Sequence, residues 1–345
     1  EGRYRLTREE PVGTGRKGYF VLEASDRRNG VHNTFGLWRA SMSVDGDPRF
    51  EYRMDGFTHD LSRCCDAVSH YPMQLTSRNE VIRLAQLAES PDCFYPVMRE
   101  RGLVRTAEGE KRRIRIEAED DCGNRSQLEF DILGRTETLR AEADSTAVVL
   151  RPEKAALVRA GRDLTARIPA GAVYEPIFCH PEQRQAPASD STAAVLSPAY
   201  RILDAETPLR RPMTVSVHAF VPDDMQSRTV LATRTAKGRI ACIGGRYADG
   251  AVTATTRTTG DIFVAADTIP PRIRPLFSEG ADLGGARSIR FRVSDNFSGI
   301  ASCTLLIDGR WAPCDRPAAK KRRSVQLSVT DGCGNTARWE GTFWR

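Results

Sequence analysis

The chain has 345 residues, a formal net charge of +6 and 28% charged residues, with Lys and Arg interspersed among Asp and Glu. The length suggests two or three domains, and this composition argues against a disordered chain. Two basic clusters, residues 111–113 and 320–323, each stand just before a strand and are interpreted as solvated strand entries. No basic stripe interleaved with aromatic residues is visible, so nucleic acid is excluded as the expected partner.

Aromatic residues make up 7% of the sequence, which also contains 27 Gly and 19 Pro. This composition favours short strands joined by many turns. No apolar run approaches the roughly 18 residues that cross a bilayer, so no membrane span is predicted. The sequence begins at Glu1 without an initiator Met, a basic segment or an apolar segment, so we expect that a targeting signal has been lost.

The first predicted unit, residues 1–139, begins with a strand over residues 20–24 that ends in Ser25-Asp26. A hairpin follows, with strands over 38–44 and 50–54 joined at Asp45-Gly46. Residues 55–75 are predicted to be irregular and polar. Periodicity leaves residues 81–87 open between a short helix and a strand. Two alternating runs, 114–118 and 128–132, close the unit as a second hairpin.

The second predicted unit, residues 140–268, has its own pattern of alternating runs separated by Gly, Pro and Asp. The spacing predicts a further β-sandwich with an exposed loop at residues 181–192. Its predicted strands are 147–150, 164–168, 213–217, 229–233 and 252–256.

Ile269-Pro270-Pro271 is the sharpest boundary, because consecutive prolines force an extended linker. The last predicted unit, residues 269–345, is small for a sandwich. It repeats the features of the first unit in the same order: a strand ending in Ser294-Asp295, a turn at Asp308-Gly309, and a final hairpin.

That final hairpin contains the clearest repeat in the sequence, Asp-x-Cys-Gly-Asn, at residues 120–124 and again at 331–335. The Gly-Asn pair is expected to supply the positive φ angles of a tight turn, and the Asp to accept its free backbone amides. Two units of one sandwich-like fold therefore bracket the chain. We predict an all-β protein of three tandem β-sandwiches: Ig-like, ZU5-like and Ig-like.

Nine cysteines are present without a Cys-x-x-Cys motif, so neither a zinc ribbon nor a thioredoxin motif is supported. Cys303 and Cys314 flank the turn at Asp308-Gly309 and could form a disulfide across a hairpin. The alternative is that the cysteines are small buried thiols.

No catalytic, cofactor-binding or metal-binding residue is assigned. The five histidines form no His-x-x-x-Asp, His-x-His or His-Glu-x-x-His motif, and no Gly-x-Ser-x-Gly is present. The densest cluster of ligand types, His59, Asp60, Cys64, Cys65, Asp66 and His70, could hold a metal but is more simply a polar loop.

Six aspartates repeat in register between the first and last units, which could suggest a calcium site at one pole of each sandwich. The preferred interpretation is that their side chains accept turn amides and end strands. They are Asp26, Asp45 and Asp120, and their counterparts Asp295, Asp308 and Asp331.

Several of these motifs also occur, in the same order, in a known protein family that this sequence resembles. The order of motifs in the first unit resembles the Ig-like extension behind lysostaphin-type zinc peptidases that cleave peptidoglycan, in the extended form typical of Bacteroidota. The second unit is similar to a ZU5-type sandwich, and the last resembles the C-terminal end of such proteins. The motifs are Ser25-Asp26, Asn29-Gly30, residues 44–46, 52–57 and 120–126, then 168–172, 196–202 and 260–265, then 267–273, 294–300 and 332–343.

The resemblance implies a non-catalytic accessory region that positions or docks a secreted cell-wall endopeptidase. The family binds zinc through His-x-x-x-Asp and His-x-His in its peptidase domain, and no position here matches, so no cofactor is expected in this chain. It further implies export to the periplasm or cell envelope of a Gram-negative bacterium, with peptidoglycan or an envelope protein as partner. The alternatives are a free-standing adhesin that binds a glycan or protein, and an enzyme with a cryptic metal site between His59 and His70.

Overall fold

The computed structural model describes residues 2–7, 11–27, 30–87, 90–135, 147–205, 207–286, 288–311 and 322–344. Contacts divide the chain into two compact units. The first consists of Glu1–Ala156, Pro169–His180 and Glu206–Arg211, and the second of Leu157–Ile168, Pro181–Ala205 and Pro212–Arg345. The predicted all-β fold class is confirmed, and the division into three sequence units stays a prediction.

The first compact unit is built on a seven-stranded sheet in the order β1-β13-β12-β7-β8-β10, with β2 also on β13. Its strands are β1 (Gly2–Tyr4), β2 (Val12–Thr14), β3 (Lys17–Gly18), β4 (Val21–Ala24), β5 (Asp26–Arg27), β6 (Thr34–Phe35), β7 (Arg39–Val44), β8 (Asp47–Arg53), β9 (Glu80–Arg83), β10 (Val97–Met98), β11 (Val104–Arg105), β12 (Lys111–Glu119), β13 (Arg125–Gly134), β14 (Val148–Leu150) and β17 (Ile177–Cys179).

Residues alternate between the two faces of this sheet, and one face is apolar. Met42, Phe50, Ile114 and Ile132 point into one apolar cluster that the β4/β9 pair and the helical segment cover. Each such side chain contributes about 1.5–3 kcal/mol when it is fully buried. The opposite face is charged: Arg39, for example, donates to Glu51 at 3.0 Å and to Glu119 at 3.3 Å.

The helical segment corrects the prediction that residues 55–75 are irregular. It contains a 3-10 helix, His59–Cys64, followed by α1 (Cys65–Val68) and α2 (Tyr71–Gln74). Each element is a single turn or two, too short for a helical period to be visible in the sequence. The sequence left residues 81–87 open between a helix and a strand. The structure places a strand at the start of this stretch, because β9 pairs with β4. Two further 3-10 turns, Asp92–Phe94 and Glu100–Gly102, complete the unit.

The second compact unit contains a five-stranded sheet, β15-β16-β21-β25-β24, and a six-stranded sheet, β18-β20-β26-β22-β23 with β19 on β26. A 3-10 helix, Gln226–Arg228, precedes β22. The strands are β15 (Ala156–Ala160), β16 (Leu164–Ile168), β18 (Glu182–Arg184), β19 (Ala194–Val195), β20 (Ala199–Arg201), β21 (Met213–His218), β22 (Thr229–Arg234), β23 (Ile240–Gly244), β24 (Arg246–Ala248), β25 (Ala251–Thr256) and β26 (Asp261–Ala266).

The C-terminal segment, residues 269–344, belongs to the same compact unit. It has a four-stranded sheet, β30-β29-β31-β32, and a separate pair, β27/β28. Phe277, Phe291 and Trp339 form its apolar centre through edge-to-face contacts of 5.3–5.7 Å between ring centroids. The strands are β27 (Arg272–Pro275), β28 (Phe291–Ser294), β29 (Ile300–Ile307), β30 (Arg310–Trp311), β31 (Arg322–Asp331) and β32 (Thr336–Trp344).

The predicted strands and Asp-Gly turns are confirmed with shifted ends. The run at 114–118 lies inside β12, and the predicted final hairpin is formed by β31 and β32. At Asp45-Gly46, Asp249-Gly250 and Asp308-Gly309 both residues have positive φ, as two-residue hairpin turns require. The suggested disulfide involves Cys314, which lies outside the described residues.

Arg83 is a buried cation inside the first compact unit. Its side chain is 3% exposed, and Nη1 donates to both carboxylate oxygens of Glu175, at 3.0 and 3.1 Å. The guanidinium also lies 5.2 Å from the ring centroid of Tyr19. The Glu175 side chain is more exposed, so water can replace Arg83 as its hydrogen-bond partner. The buried Arg83 side chain has no such replacement for Glu175.

We expect Glu175→Gln to destabilise the first unit by about 1–2 kcal/mol, because it leaves the buried guanidinium without its counter-charge. Arg83→Met removes the buried charge together with its need for a partner, and should cost about 1 kcal/mol or less. Urea unfolding followed by circular dichroism compares the two variants with the parent chain. A larger loss for Arg83→Met than for Glu175→Gln would contradict this account.

Candidate functional site

The first turn, residues 120–124, joins β12 to β13 and is organised by one aspartate. Asp120 Oδ1 accepts the backbone N–H of Cys122 at 2.9 Å and that of Asn124 at 2.8 Å. Asp120 Oδ2 accepts Nδ2 of Asn124 at 2.7 Å. Hydrogen bonds from the Asn124 side chain and then from the turn amides lower the pKa of Asp120. The carboxylate therefore stays ionised and holds the turn closed.

The second turn, residues 331–335, joins β31 to β32 with the same hydrogen bonds. Asp331 Oδ1 accepts the N–H of Cys333 and of Asn335, both at 2.9 Å, and Oδ2 accepts Nδ2 of Asn335 at 2.8 Å. Only the surroundings differ. Asp331, Cys333 and Asn335 are 2–4% exposed, whereas residues 121–124 are exposed.

The expectation that Gly and Asn both supply positive φ angles is wrong for these turns. Gly123 and Gly334 have φ of 85° and 86°, but neither Asn124 nor Asn335 is among the described residues with positive φ. Instead, the side-chain amide of each Asn donates a hydrogen bond to the aspartate of its own turn. The expectation that the Asp accepts turn amides is confirmed.

A third aspartate, Asp267, meets the second turn at the end of β26. Asn335 Nδ2 donates to the carbonyl oxygen of Asp267 at 3.0 Å. The Asp267 carboxylate is fully buried and accepts the N–H of Ile269 and of Ser298, both at 3.1 Å. We call Asp267, the loop at 295–299 and the second turn the Asp267 joint.

The loop at 295–299 completes the Asp267 joint. Asp295 Oδ2 accepts the N–H of Phe297 at 2.9 Å and that of Gly299 at 2.8 Å. Phe297 packs against an apolar cluster that includes Phe263 and Ile240. Hydrogen bonds and apolar contact together fix the C-terminal segment on the six-stranded sheet.

Asp267, Asp295 and Asp331 could together ligate a hard cation. One carboxylate oxygen of each lies within 4.8 Å of the others, and oxygen ligands of this kind suit Ca²⁺. Backbone amides bind at least one oxygen of each carboxylate, which is the other way to stabilise a buried negative charge, but Oδ1 of Asp295 is buried without a hydrogen-bond partner among the described residues. Hydrogen bonding accounts for both oxygens of Asp267 and of Asp331, and it leaves Oδ1 of Asp295 unpaired among the described residues.

The thiols next to the joint are held in their protonated form. Burial, with a smaller contribution from the nearby carboxylates of Asp267 and Asp331, raises the pKa of Cys333 to about 12. Burial also raises the pKa of Cys242, and the carboxylates of Asp267 and Asp295 contribute in the same direction. A protonated thiol is a poor nucleophile and a poor metal ligand.

At the opposite end of each hairpin sheet, Asp45 and Asp308 repeat a second arrangement. Asp45 accepts the N–H of Arg113 at 2.7 Å and Nε of Arg112 at 2.8 Å. Asp308 accepts the N–H of Ser324 at 3.0 Å and a guanidinium of Arg323 at 2.8 Å. These aspartates bind the neighbouring strand, as the preferred sequence interpretation predicts. Asp26 lies in β5 and takes no such role in the described contacts.

The ligand-type residues between His59 and His70 are placed on the short helices. Among the described residues, two groups have the spacing of metal ligands: Asp120, Asp121 and Cys122, and the trio of the Asp267 joint. Neither group includes a histidine or a residue from this helical segment. Burial raises the pKa of both Cys64 and Cys65. The cryptic-site alternative gains no geometric support from these residues.

A family model for the Zu5-like domain matches residues 150–267. This match suggests a non-enzymatic domain of the protein-interaction type, and it identifies no partner. No curated protein matches the chain. No helix among the described residues is long and apolar enough to cross a membrane. The Zu5-like match ends at Asp267, the residue that the second turn binds.

Sequence reasoning found the two repeated turns but missed Asp267 as their third partner. The contact joins residues 68 positions apart, beyond any local pattern. One signal was available: Gly332 occupies the position that Asp121 has in the first turn. A Cβ at Gly332 would lie 2.7 Å from the carbonyl oxygen of Ser298, so the approaching loop requires glycine there.

Matched truncations of the two asparagines should differ in cost. Asn335→Ala leaves a buried carboxylate and the Asp267 carbonyl short of a donor, and should cost about 2–3 kcal/mol. Asn124→Ala breaks the same bond to aspartate in water and should cost about 1 kcal/mol or less. Hydrogen exchange resolved by peptide, at increasing urea, reads the two turns separately. Equal losses of stability in Asn335→Ala and Asn124→Ala would contradict a joint at Asp267.

Gly332→Ala tests the close approach of the loop. The added methyl meets a backbone oxygen, so either the loop or the turn must shift, at about 1–3 kcal/mol. Gly285→Ala is the control, because nothing lies within 4 Å of a Cβ there and its φ is not positive. Unfolding midpoints of the two variants give the comparison. If Gly332→Ala is as stable as Gly285→Ala, the loop does not pack on the turn as described.

Proposed function

We propose that the chain is a non-catalytic region that spaces, orients or docks a peptidoglycan-cleaving zinc endopeptidase of the lysostaphin type in the cell envelope. The Zu5-like match supports a binding domain in the middle of the chain. The resemblance of the flanking motifs to such peptidases supports the assignment of the enzyme and of an exported, Gram-negative location. Peptidoglycan, or an envelope protein, is the proposed partner.

The observation that carries the proposal is the Asp267 joint. The carboxylates of Asp267 and Asp331 accept hydrogen bonds at both oxygens, and burial raises the pKa of the Cys333 thiol, so these groups are committed to structure. Such a joint fixes the C-terminal segment on the Zu5-like segment rather than leaving the two on a flexible linker. A fixed connection suits a spacer, because it transmits orientation as well as distance.

A free-standing adhesin is the second candidate, and one surface of the second compact unit favours it. Phe220 is 91% exposed and lines a cavity of about 370 Å³, whose lining also includes Asp163, Ser197 and His218. An exposed aromatic ring beside polar groups can stack on a ligand while the polar groups bind its hydroxyl or amide groups.

The test uses the whole chain with purified peptidoglycan sacculi. A lysostaphin-type peptidase domain is fused in front of the chain, and its activity is compared with an equimolar mixture of the separate parts. We expect the fusion to release soluble fragments from sacculi about tenfold faster or more, because tethering raises the local concentration of enzyme at the wall. On a short soluble peptide substrate the fusion and the mixture should be equally fast.

Three results would count against this division of labour. Equal rates on sacculi would reject the spacing or docking role. Release of fragments by the chain alone with added zinc would show that the chain is itself the enzyme. The adhesin would be favoured by two results together. The chain would sediment with sacculi and lose this binding in Phe220→Ala, and fusion to the peptidase would leave the rate of fragment release unchanged.

A further inference from the structure

Three aspartates from separate elements bring negative charge together at the Asp267 joint. Asp267 follows β26, Asp295 follows β28, and Asp331 ends β31. One carboxylate oxygen of each lies within 4.8 Å of the others, and Asp267 and Asp331 are 0% and 2% exposed. Among the described residues, no Lys, Arg or His forms an ion pair with any of the three. Buried charges in proteins are paired with an opposite charge or coordinate a metal ion.

Two further oxygen atoms in the joint are not explained by the hydrogen bonds of the turns. Asp295 Oδ1 and Ser298 Oγ are both out of contact with water, and neither has a hydrogen-bond partner in the described part of the chain. The amides of Phe297 and Gly299 bind Asp295 through Oδ2, so the loop at 295–299 is closed without Oδ1. A buried oxygen without a partner costs free energy until a ligand binds it.

The other two carboxylates contribute charge to the same place. Both oxygens of Asp267 accept backbone amides, and both oxygens of Asp331 accept hydrogen bonds within the second turn. Because these bonds hold the two carboxylates in position, their negative charges stay close to Asp295 and add to its attraction for a cation. The joint therefore combines free oxygen ligands with fixed negative charge.

The ligand type and the rigidity of the joint select the ion. A carboxylate and a hydroxyl are the oxygen ligands of hard cations such as Ca²⁺ and Mg²⁺. Mg²⁺ requires a nearly ideal octahedron, whereas Ca²⁺ accepts irregular sets of six to eight oxygens that include water. Hydrogen bonds already fix the positions of the oxygens in the joint, so the ion must adapt to them, which favours Ca²⁺. Asp295 is half-buried and Asn296 is exposed, which gives water access from that side.

We propose that the Asp267 joint binds one Ca²⁺, with Asp295 Oδ1 and Ser298 Oγ as protein ligands and water as the others. Asp267 and Asp331 supply the negative charge that retains the ion. Bound Ca²⁺ offsets the repulsion between the three carboxylates and so strengthens the attachment of the C-terminal segment to the six-stranded sheet. The site goes beyond the proposed function and does not depend on it, because it concerns how one segment is attached to the other.

The first measurement uses the full chain, stripped with EGTA and titrated with CaCl₂ in a calorimeter. We expect one Ca²⁺ per chain with a dissociation constant below about 1 mM, and binding of Mg²⁺ at least about tenfold weaker. The melting temperature in about 10 mM CaCl₂ should exceed that in EGTA by about 3 °C or more. The absence of both binding heat and a shift in melting temperature would overturn the proposal, and so would equal binding of Mg²⁺.

Asp295→Asn separates a ligand from a residue that only closes its loop. The Asn side chain keeps an oxygen that can accept the amides of Phe297 and Gly299, but it removes the charge. We expect the variant to bind Ca²⁺ at least about tenfold more weakly. In EGTA it should melt no lower than the parent chain, because the repulsion between carboxylates is reduced. Loss of stability in EGTA, with the shift caused by Ca²⁺ unchanged, would show a purely structural role and reject the site.

Asp120→Asn is the matched control, because Asp120 closes the first turn with the same hydrogen bonds as Asp331 closes the second. It should leave both the affinity for Ca²⁺ and the shift in melting temperature unchanged. Circular dichroism verifies that both variants fold. Ca²⁺ binding that is lost in Asp120→Asn and retained in Asp295→Asn would place the ion elsewhere and overturn the proposal, whatever the sacculus assay gives.

Discussion

The ends of the long hairpins depend on one interaction, an aspartate carboxylate that accepts backbone amides. At both Asp-x-Cys-Gly-Asn turns a single oxygen takes two N–H groups, two and four residues further along the chain. A turn of this length leaves those amides without strand partners, and unpaired amides are costly once they are buried. The carboxylate therefore fixes where each strand ends and how the next begins. Registers of nine paired residues follow from both turns.

The same local chemistry serves two environments. At the first turn water can replace any of the hydrogen bonds, so the net contribution of each is about 0.5–1.5 kcal/mol. At the second turn water is excluded, and the cost of breaking a bond rises to that of an unsatisfied buried group. Asp331 and Asn335 therefore stabilise the attachment of a whole segment with bonds that, at Asp120 and Asn124, only close a turn.

Much of the fold follows from period-two patterns and Asp-Gly turns in the sequence. β16 matches its predicted bounds, Leu164–Ile168, because its neighbours end it with a proline and its inward residues are all apolar. The helical segment between His59 and Gln74 could not be predicted, because single helical turns owe their existence to packing rather than to periodicity. The role of Asn was misassigned because the sequence does not separate a residue used for its backbone angle from one used for its side chain.

The candidate site was predicted in part, for a physical reason. Its aspartates were visible because local turns require them, whereas Asp267 joins them only through tertiary contact. The same distinction bears on function. A carboxylate that acts as a base or a metal ligand must keep an oxygen free for substrate or ion, but Asp331 uses both of its oxygens to close its turn. The lone pairs that accept the hydrogen bonds of the turn are not available to bind a substrate or an ion. Asp331 is therefore committed to its turn, whereas Asp295 keeps Oδ1 without a hydrogen-bond partner among the described residues.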